Sequence, residues 1–505
     1  MNHTKKGIRL WPLVILLCLG ILSIGYVWIR EAGHRQDKFL LTQLLLILAG
    51  ILGVIWLLGL SRLTWKTKFK SFALIFVSIL TFIFLFQFDG FSGDLVPKFE
   101  LRWGGSAISS IAASNVQDTP DKLTNDFPQF LGPNRNAVLS GITLNTNWEE
   151  TPPELVWRIP VGAGWSGFAV VGNSAITQEQ EDEWEKVVCY DLNTGKEKWT
   201  HKDNARYYTS LGGLGPRATP TIDGNQVYTV GSTGILNCLD FESGRHIWST
   251  NIFEENNAEK PPWGVAVSPL IIDNLVIVSA GGAVAYHKDS GEIAWTGHRV
   301  KSAYSSPVLL TLGGTEQVVL FDHGLVTSHE PSTGKLLWKQ AWPSRVECAA
   351  QPIPLPGDKL LVSTAYGIGS KLFQISKGNQ SEKFIVDLLW ETIRFKAKFT
   401  TVIYHKNYLY GLDDGIFACI DPSDGTRQWK KGRYGHGQTL LIGEVLLVLT
   451  ESGDIVLLKP DPEKHTELAR IKGITGQTWN NPALTGNLLL VRNSQEAACY
   501  RLQTQ

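Results

Sequence analysis

From about residue 155 onward the chain repeats one short pattern, and that pattern limits what it can fold into. The clearest copies are CYDLNTGKEKW (189–199), CLDFESGRHIW (238–248), AYHKDSGEIAW (285–295), SHEPSTGKLLW (328–338) and CIDPSDGTRQW (419–429). In each, a short strand ends in an acidic or polar residue, a turn with glycine follows, and a second strand ends in tryptophan. Gly195, Gly244, Gly291, Gly334 and Gly425 supply the positive φ that a tight turn needs. The tryptophan fills the gap between neighbouring sheets. A period of about 40–50 residues in such units means a propeller or another stacked array. The 18 Trp and 49 Gly follow from it.

Counting the units predicts the architecture. The tryptophan of the last strand falls at Trp157, Trp199, Trp248, Trp295, Trp338, Trp390 and Trp429. The Trp390 unit is degenerate, with an insertion around Lys377 to Lys383. An eighth unit lacks its tryptophan and passes through Leu468 to Ile471. The first strand, ELVWRIPV, has no partners ahead of it. The last three, near Asn481–Leu484, Leu488–Val491 and Ala497–Leu502, have no outer strand behind them. If the N-terminal strand completes the C-terminal blade, the result is an all-β, eight-bladed propeller closed on itself, with no exposed end sheets.

The unit, preceded by a Pro-headed inner strand, resembles the pyrroloquinoline-quinone (PQQ) propeller repeat over residues 127–502. The lead-in FPQFLGPNRNAVLSG (127–141) is similar to the segment that opens many such propellers. The resemblance implies two functional outcomes. Quinoprotein dehydrogenases of this family hold PQQ and Ca²⁺ in the propeller, commonly beside two adjacent cysteines. Non-enzymatic members include the propeller lipoprotein of the outer-membrane β-barrel assembly machinery. This chain has no adjacent cysteine pair, and its loops are mostly short. The pair Asp413-Asp414 falls at a hairpin and reads as ordinary turn chemistry. Cys189, Cys238, Cys419 and Cys499 occupy one place in four repeats, a blade apart and too distant for disulfides. They read as small packing residues.

The first ninety residues are of another kind. Apolar runs at 11–29, 39–60 and 71–88 carry no charge, and each approaches the roughly 20 residues of a membrane-spanning helix. Lys5, Lys6 and Arg9 precede the first run. Arg62, Lys66, Lys68 and Lys70 lie between the second and third without an acid, whereas the first loop is mixed. The positive-inside rule puts the N-terminus in the cytoplasm and everything after Phe88 outside. The expectation is an anchor over 1–90 in the inner (cytoplasmic) membrane, a flexible tether over 91–126 and a periplasmic propeller over 127–505. Cys18 follows Leu17 rather than a small residue, so no lipidation is expected there.

Aligning the inner strands on Phe168, Pro220, Pro269, Pro307, Pro352, Val402, Thr439 and Pro482 gives a candidate site. One residue earlier stand Gly167, Thr219, Ser268, Ser306, Gln351, Thr401, Gln438 and Asn481, expected to face a watery channel. Three residues earlier, on the same face, a mouth is expected to be ringed by Trp165, Arg217, Tyr304, Phe399, His436 and Trp479. A planar anionic ligand could stack on Trp165 or Trp479 and meet Arg217 and His436; alternatively, these side chains plug the channel. Lys+Arg and Asp+Glu are both 47, so no basic surplus points to nucleic acid. The preferred reading is a non-catalytic binding or scaffolding module, without cofactor, for a membrane or envelope protein. The polar loop 251–263 is its candidate contact. A membrane-bound PQQ-dependent dehydrogenase and a small-molecule receptor using the mouth are the alternatives.

Overall fold

The computed structural model describes residues 8–30, 35–103, 126–343, 347–378 and 383–504. It divides into two compact units, Met1–Ala107 and Ile108–Gln505. Lys5, Lys6 and tether residues 104–125 lie outside the described residues.

The first unit holds three helices long and apolar enough to cross a membrane. Helix α1 is Trp11–Ile29, and α2 is Arg35–Ile55, continued by a π-turn at Trp56–Leu60. Helix α3, Trp65–Leu85, starts six residues ahead of the apolar run. The Thr64 hydroxyl accepts from the Thr67 N–H at 3.3 Å and caps it, which draws Lys66, Lys68 and Lys70 into the helix. It ends three residues early because Phe86–Phe91 (β1) turns into a strand paired antiparallel with Pro97–Leu101 (β2). Residues 91–101, expected to be loose tether, are therefore largely this hairpin. The unit also sorts its ends. Trp56 Nε1 donates to the Arg9 carbonyl (3.0 Å), and the Arg9 N–H to the Ser61 carbonyl (3.2 Å). At the other end Arg35 pairs with Asp94 at 2.7 Å, and Gln36 Nε2 donates to the Gly93 carbonyl at 2.8 Å.

Among the described residues, the second unit contains eight antiparallel sheets of four strands, one with a fifth, parallel strand added. Seven are built from consecutive strands, as in Thr221–Asp223, Gln226–Val230, Ile235–Asp240 and His246–Asn251. In the eighth, Ala483–Thr485, Leu488–Arg492 and Glu496–Arg501 take Glu154–Pro160 as their outer strand, with Trp157 opposite Cys499. The degenerate unit forms two nine-residue strands, Gly369–Lys377 and Phe384–Thr392. Residues 379–382 of its insertion lie outside the described residues.

The repeat residues act together. Asp191 Oδ1 accepts from both the N–H and the hydroxyl of Thr194, and the Gly195 N–H donates to the Asp191 carbonyl. Asp240 and Asp421 hold Ser243 and Ser423 in the same manner. Each turn then receives the tryptophan of the preceding sheet. Trp157 Nε1 donates to the Leu192 carbonyl, Trp199 to Phe241, Trp248 to Lys288, Trp295 to Pro331, Trp390 to Pro422 and Trp429 to Asp461, at 2.7–3.0 Å. The indole lies on the turn glycine so closely that a Cβ at Gly195 would stand 2.9 Å from Trp157, and closer still at Gly244 from Trp199. The glycine is thus needed for its missing side chain as well as for its φ. Trp338 departs from the rule: its Nε1 donates to Gln317 Oε1 instead. Directly across from Trp199, Trp248, Trp429 and Trp157 stand Cys189, Cys238, Cys419 and Cys499. All four are buried and free, with thiols pushed up by burial, to about 11 for Cys189 and Cys238.

Gly224 has positive φ with open space around its Cα, whereas Gly244 adds the Trp199 contact. Gly224→Ala is therefore expected to cost about 1 kcal/mol, from backbone strain alone. Gly244→Ala should cost about 3 kcal/mol or more, as strain and overpacking combine. Thermal and denaturant midpoints of the two full-length variants check this, and equal losses would remove the Trp–Gly contact from the account.

Candidate functional site

The starts of the inner strands are stitched sheet to sheet. The Gly167 N–H donates to Thr219 Oγ1 (3.2 Å), the Thr219 N–H to Ser268 Oγ (2.9 Å) and the Ser268 N–H to Ser306 Oγ (2.9 Å). Gln351 Nε2 donates to the Ser306 carbonyl, Thr439 Oγ1 to the Thr401 carbonyl and Gln438 Nε2 to the Trp479 carbonyl. The set expected to face a watery channel is buried almost throughout; only Asn481 keeps part of its surface. These hydroxyls and amides bind neighbouring sheets to one another, because a buried polar group needs a partner and the adjacent backbone provides it.

The lead-in closes one end of this centre. Phe127 bridges to Val170, the Ile222 N–H donates to the Pro128 carbonyl, and Val138–Leu139 pairs in parallel with Leu441–Ile442. Arg135 lies buried between them, donating to the carbonyls of Pro269 (2.8 Å) and Ser268 (3.1 Å). Burial without an acidic partner pulls its pKa down to about 9. One segment thereby reaches the inner strands of four sheets. The family resemblance marked this stretch as an opening segment, but nothing in its composition signalled a plug.

At the other end stand the residues expected to ring the mouth. Trp165 and Trp479 touch, with centroids 4.8 Å apart and planes at 42°. Phe399 packs on Trp479 at 5.6 Å and on His436 at 5.8 Å. Glu451 accepts from Trp479 Nε1 (3.1 Å) and from the His436 N–H (3.0 Å). Trp165 and Arg217 meet at the Gly212 carbonyl, each donating to it at 2.7 Å. Tyr304 stands apart from these contacts, stacked on Trp263 at 5.2 Å and accepting the Trp263 N–H. Sequence reasoning missed Glu451 and Trp263. Trp263, at the end of the 251–263 loop, carried no signal beyond being aromatic.

Arg217 shows what the glycine-rich turn before it does. Residues Tyr208–Thr209 and Gly213–Leu214 form a small two-stranded sheet, and the carbonyls of Gly212, Gly213 and Gly215 converge on the guanidinium. The turn presents carbonyl oxygens, the reverse of a phosphate-binding loop. Burial lowers the Arg217 pKa to about 10. Nearby Glu185 accepts from the Ser232 N–H, and burial raises it to about 6 against the pull of Arg217.

Two further features differ from their sequence reading. Asp413 is fully buried among Lys396 (2.8 Å), Lys430 (2.7 Å) and Arg427 (3.4 Å), so the acidic hairpin pair is also an ion-pair hub. The 251–263 loop begins as a short helix, Ile252–Glu255, capped by Asn251 and held by buried Ile252 and Phe253. It exposes Glu254, Glu255, Asn257, Glu259, Lys260 and Pro262.

Known proteins share this fold. The model of the family described as outer membrane protein assembly factor BamB matches residues 133–260 and 183–431. BamB from Moraxella catarrhalis superposes with a TM-score of 0.51 at 15% identity, covering 69% of this chain and 97% of its own. Quinohemoprotein alcohol dehydrogenase from Comamonas testosteroni superposes with a TM-score of 0.52 at 13% identity, covering 75% and 80%. Such identities show the fold alone. No curated protein matches the chain in sequence. With a PQQ-type repeat matched across more than half its length, the chain belongs to the outer membrane protein assembly factor BamB family.

Proposed function

We propose that this chain is a non-catalytic binding scaffold: a closed eight-bladed propeller displayed on the periplasmic face of the inner membrane by three spanning helices. The observation that carries the reading is the state of the mouth. Trp165 Nε1, Trp479 Nε1 and the Arg217 terminal nitrogens all donate to groups of the protein itself. The two indoles touch at an angle, which leaves no parallel slot for a planar ring. The nearby carboxylates are largely engaged as well: Glu451 as above, Glu179 by the Gly162 N–H and the Tyr190 hydroxyl, and Glu185 through one oxygen by Ser232, its other oxygen buried without a partner. Among the described residues, no group of three His, Cys, Asp or Glu converges. The residues present do not fit a Ca²⁺–quinone pair, and a plug suits them better.

Binding then falls to exposed loops, as protein-binding surfaces without a cofactor require. The 251–263 loop is the first candidate, since a rigid, capped base carries an exposed charged ridge. Orientation rests on the basic Arg62, Lys66, Lys68 and Lys70 set and on the shared end of Arg9 and Ser61. Closure is supported by the pairing of Glu154–Pro160 with Glu496–Arg501. Arg492 adds to it, fully buried and donating to Thr177 Oγ1, the Gln178 carbonyl and the Gly162 carbonyl.

Titrating the full-length protein with PQQ and Ca²⁺ while following tryptophan fluorescence should give no saturable quenching at micromolar concentrations. Quenching abolished by Trp479→Ala would instead return the dehydrogenase or receptor reading. Photo-crosslinkers placed at Glu254, Glu255 or Lys260 in intact membranes should yield discrete protein adducts, and a bare loop would move the contact elsewhere. Arg492→Met should speed hydrogen exchange in the 154–160 and 496–501 strands first, while the 275–287 strands keep their protection. Uniform loosening would count against a ring closed at that seam.

A further inference from the structure

The hairpin after α3 is amphipathic in a way that its Ser-, Gly- and Asp-containing sequence conceals. Cross-strand register pairs Phe86 with Leu101, Gln87 with Glu100 and Phe88 with Phe99. Period-two alternation puts Phe86, Phe88, Phe99 and Leu101 on one face and Gln87, Lys98 and Glu100 on the other. The apolar face is open: Phe88, Phe99 and Leu101 keep 47%, 48% and 51% of their surface.

Its position is fixed relative to α3. The Arg102 N–H donates to the Leu85 carbonyl (2.9 Å) and Arg102 Nε to the Ile83 carbonyl (3.1 Å), satisfying the helix C-terminus. Phe99 meets Phe82 at 5.1 Å, and Trp103 meets Phe84 at 5.0 Å. The hairpin is thus folded back to the level of the last helical turn. Its own turn is tied to the start of α2 through Arg35–Asp94, Gln36 to the Gly93 carbonyl and Gln43 to the Leu95 carbonyl.

We infer that the β1–β2 hairpin is a membrane-docking element whose apolar face lies in the boundary between headgroups and acyl chains, where α3 ends. This rests on the reading of α3 as a membrane span. Its 21 residues rise about 32 Å, against about 30 Å of hydrocarbon, with Lys66, Lys68 and Lys70 of its first turns reaching back to the opposite headgroups, so its last turn lies at that boundary. The exposed face is continuous with the lipid-facing surface of the helix. A two-stranded sheet leaves edge N–H and C=O groups unpaired, which the hydrocarbon core does not tolerate and the wet interface does. Aromatic side chains favour the same depth. The chain therefore leaves lipid near Trp103 rather than at Leu85.

The test uses the full-length protein with Cys18→Ser, because the other five cysteines are buried. Val77→Cys on α3, Phe99→Cys and Leu101→Cys on the apolar face, and Glu100→Cys on the polar face are each labelled with a polarity-sensitive fluorophore. The variants are placed in phosphatidylcholine–phosphatidylglycerol vesicles carrying spin-labelled lipid, quenching either near the headgroup or deep in the chain. The Phe99 and Leu101 labels should be blue-shifted, quenched best by the shallow lipid and shielded from aqueous iodide. The Glu100 label should remain open to iodide. Iodide quenching of all three with the Val77 label still lipid-quenched would overturn the docking inference and leave the anchor standing. Labels on the apolar face shielded from both lipid and iodide would assign that face to protein and also overturn it. A Val77 label that no lipid quenches would remove the anchor itself.

Discussion

The contact on which the second unit depends is the one between a tryptophan and the turn glycine of the next sheet. It joins three requirements at one point. The turn must enter the left-handed region, the glycine must leave room for an indole, and the indole N–H must find a carbonyl. Trp157, Trp199, Trp248, Trp295 and Trp390 meet all three. Each contact links a sheet only to its neighbour, so the array propagates by nearest-neighbour terms, as in other repeat proteins. Ahead of the degenerate unit, the Trp338 indole turns to Gln317 within its own sheet.

This explains which parts of the fold were legible. A turn, its glycine and its tryptophan are local in sequence, so the repeat displayed them directly. The cysteine positions were legible for the same reason, since the residue facing the indole across the strand pair is Cys, Ala or Ser in all but the degenerate unit, where Leu372 faces Trp390. The strands of the last sheet followed from counting. Other features needed information that no window contains. The lead-in plug depends on Arg135 meeting carbonyls more than a hundred residues away. The hairpin at 86–101 was hidden because Asp89, Gly90, Ser92 and Gly93 resemble linker composition, while its two strands were too short to show a period.

The candidate mouth was half legible. Alignment of the inner strands brought Trp165, Trp479, Phe399 and His436 to one place, and the structure does assemble them. What alignment does not provide is the direction of hydrogen bonding. Arg217 looked like an anion ligand because it is a cation in a line of aromatics. Its partners are the carbonyls of the turn just ahead of it, and those carbonyls point inward because Gly213 and Gly215 take positive φ.

The same principle separates a propeller that holds a cofactor from one that holds itself together. A central site needs donors and acceptors left over after the blades have joined, since a bound group must replace their water. Here the inner hydroxyls from Thr219 to Thr439 join sheet to sheet, the lead-in contributes Arg135 to the same centre, and the mouth indoles meet internal acceptors. Much of the polar capacity at the axis goes into cohesion, while Gln351 Oε1, Gln438 Oε1 and Asn480 Oδ1 stay buried without a hydrogen-bond partner. Loops such as 251–263 lie away from this centre, with a capped backbone and exposed side chains. Under the proposed scaffold reading, recognition by such loops requires no rearrangement of the core.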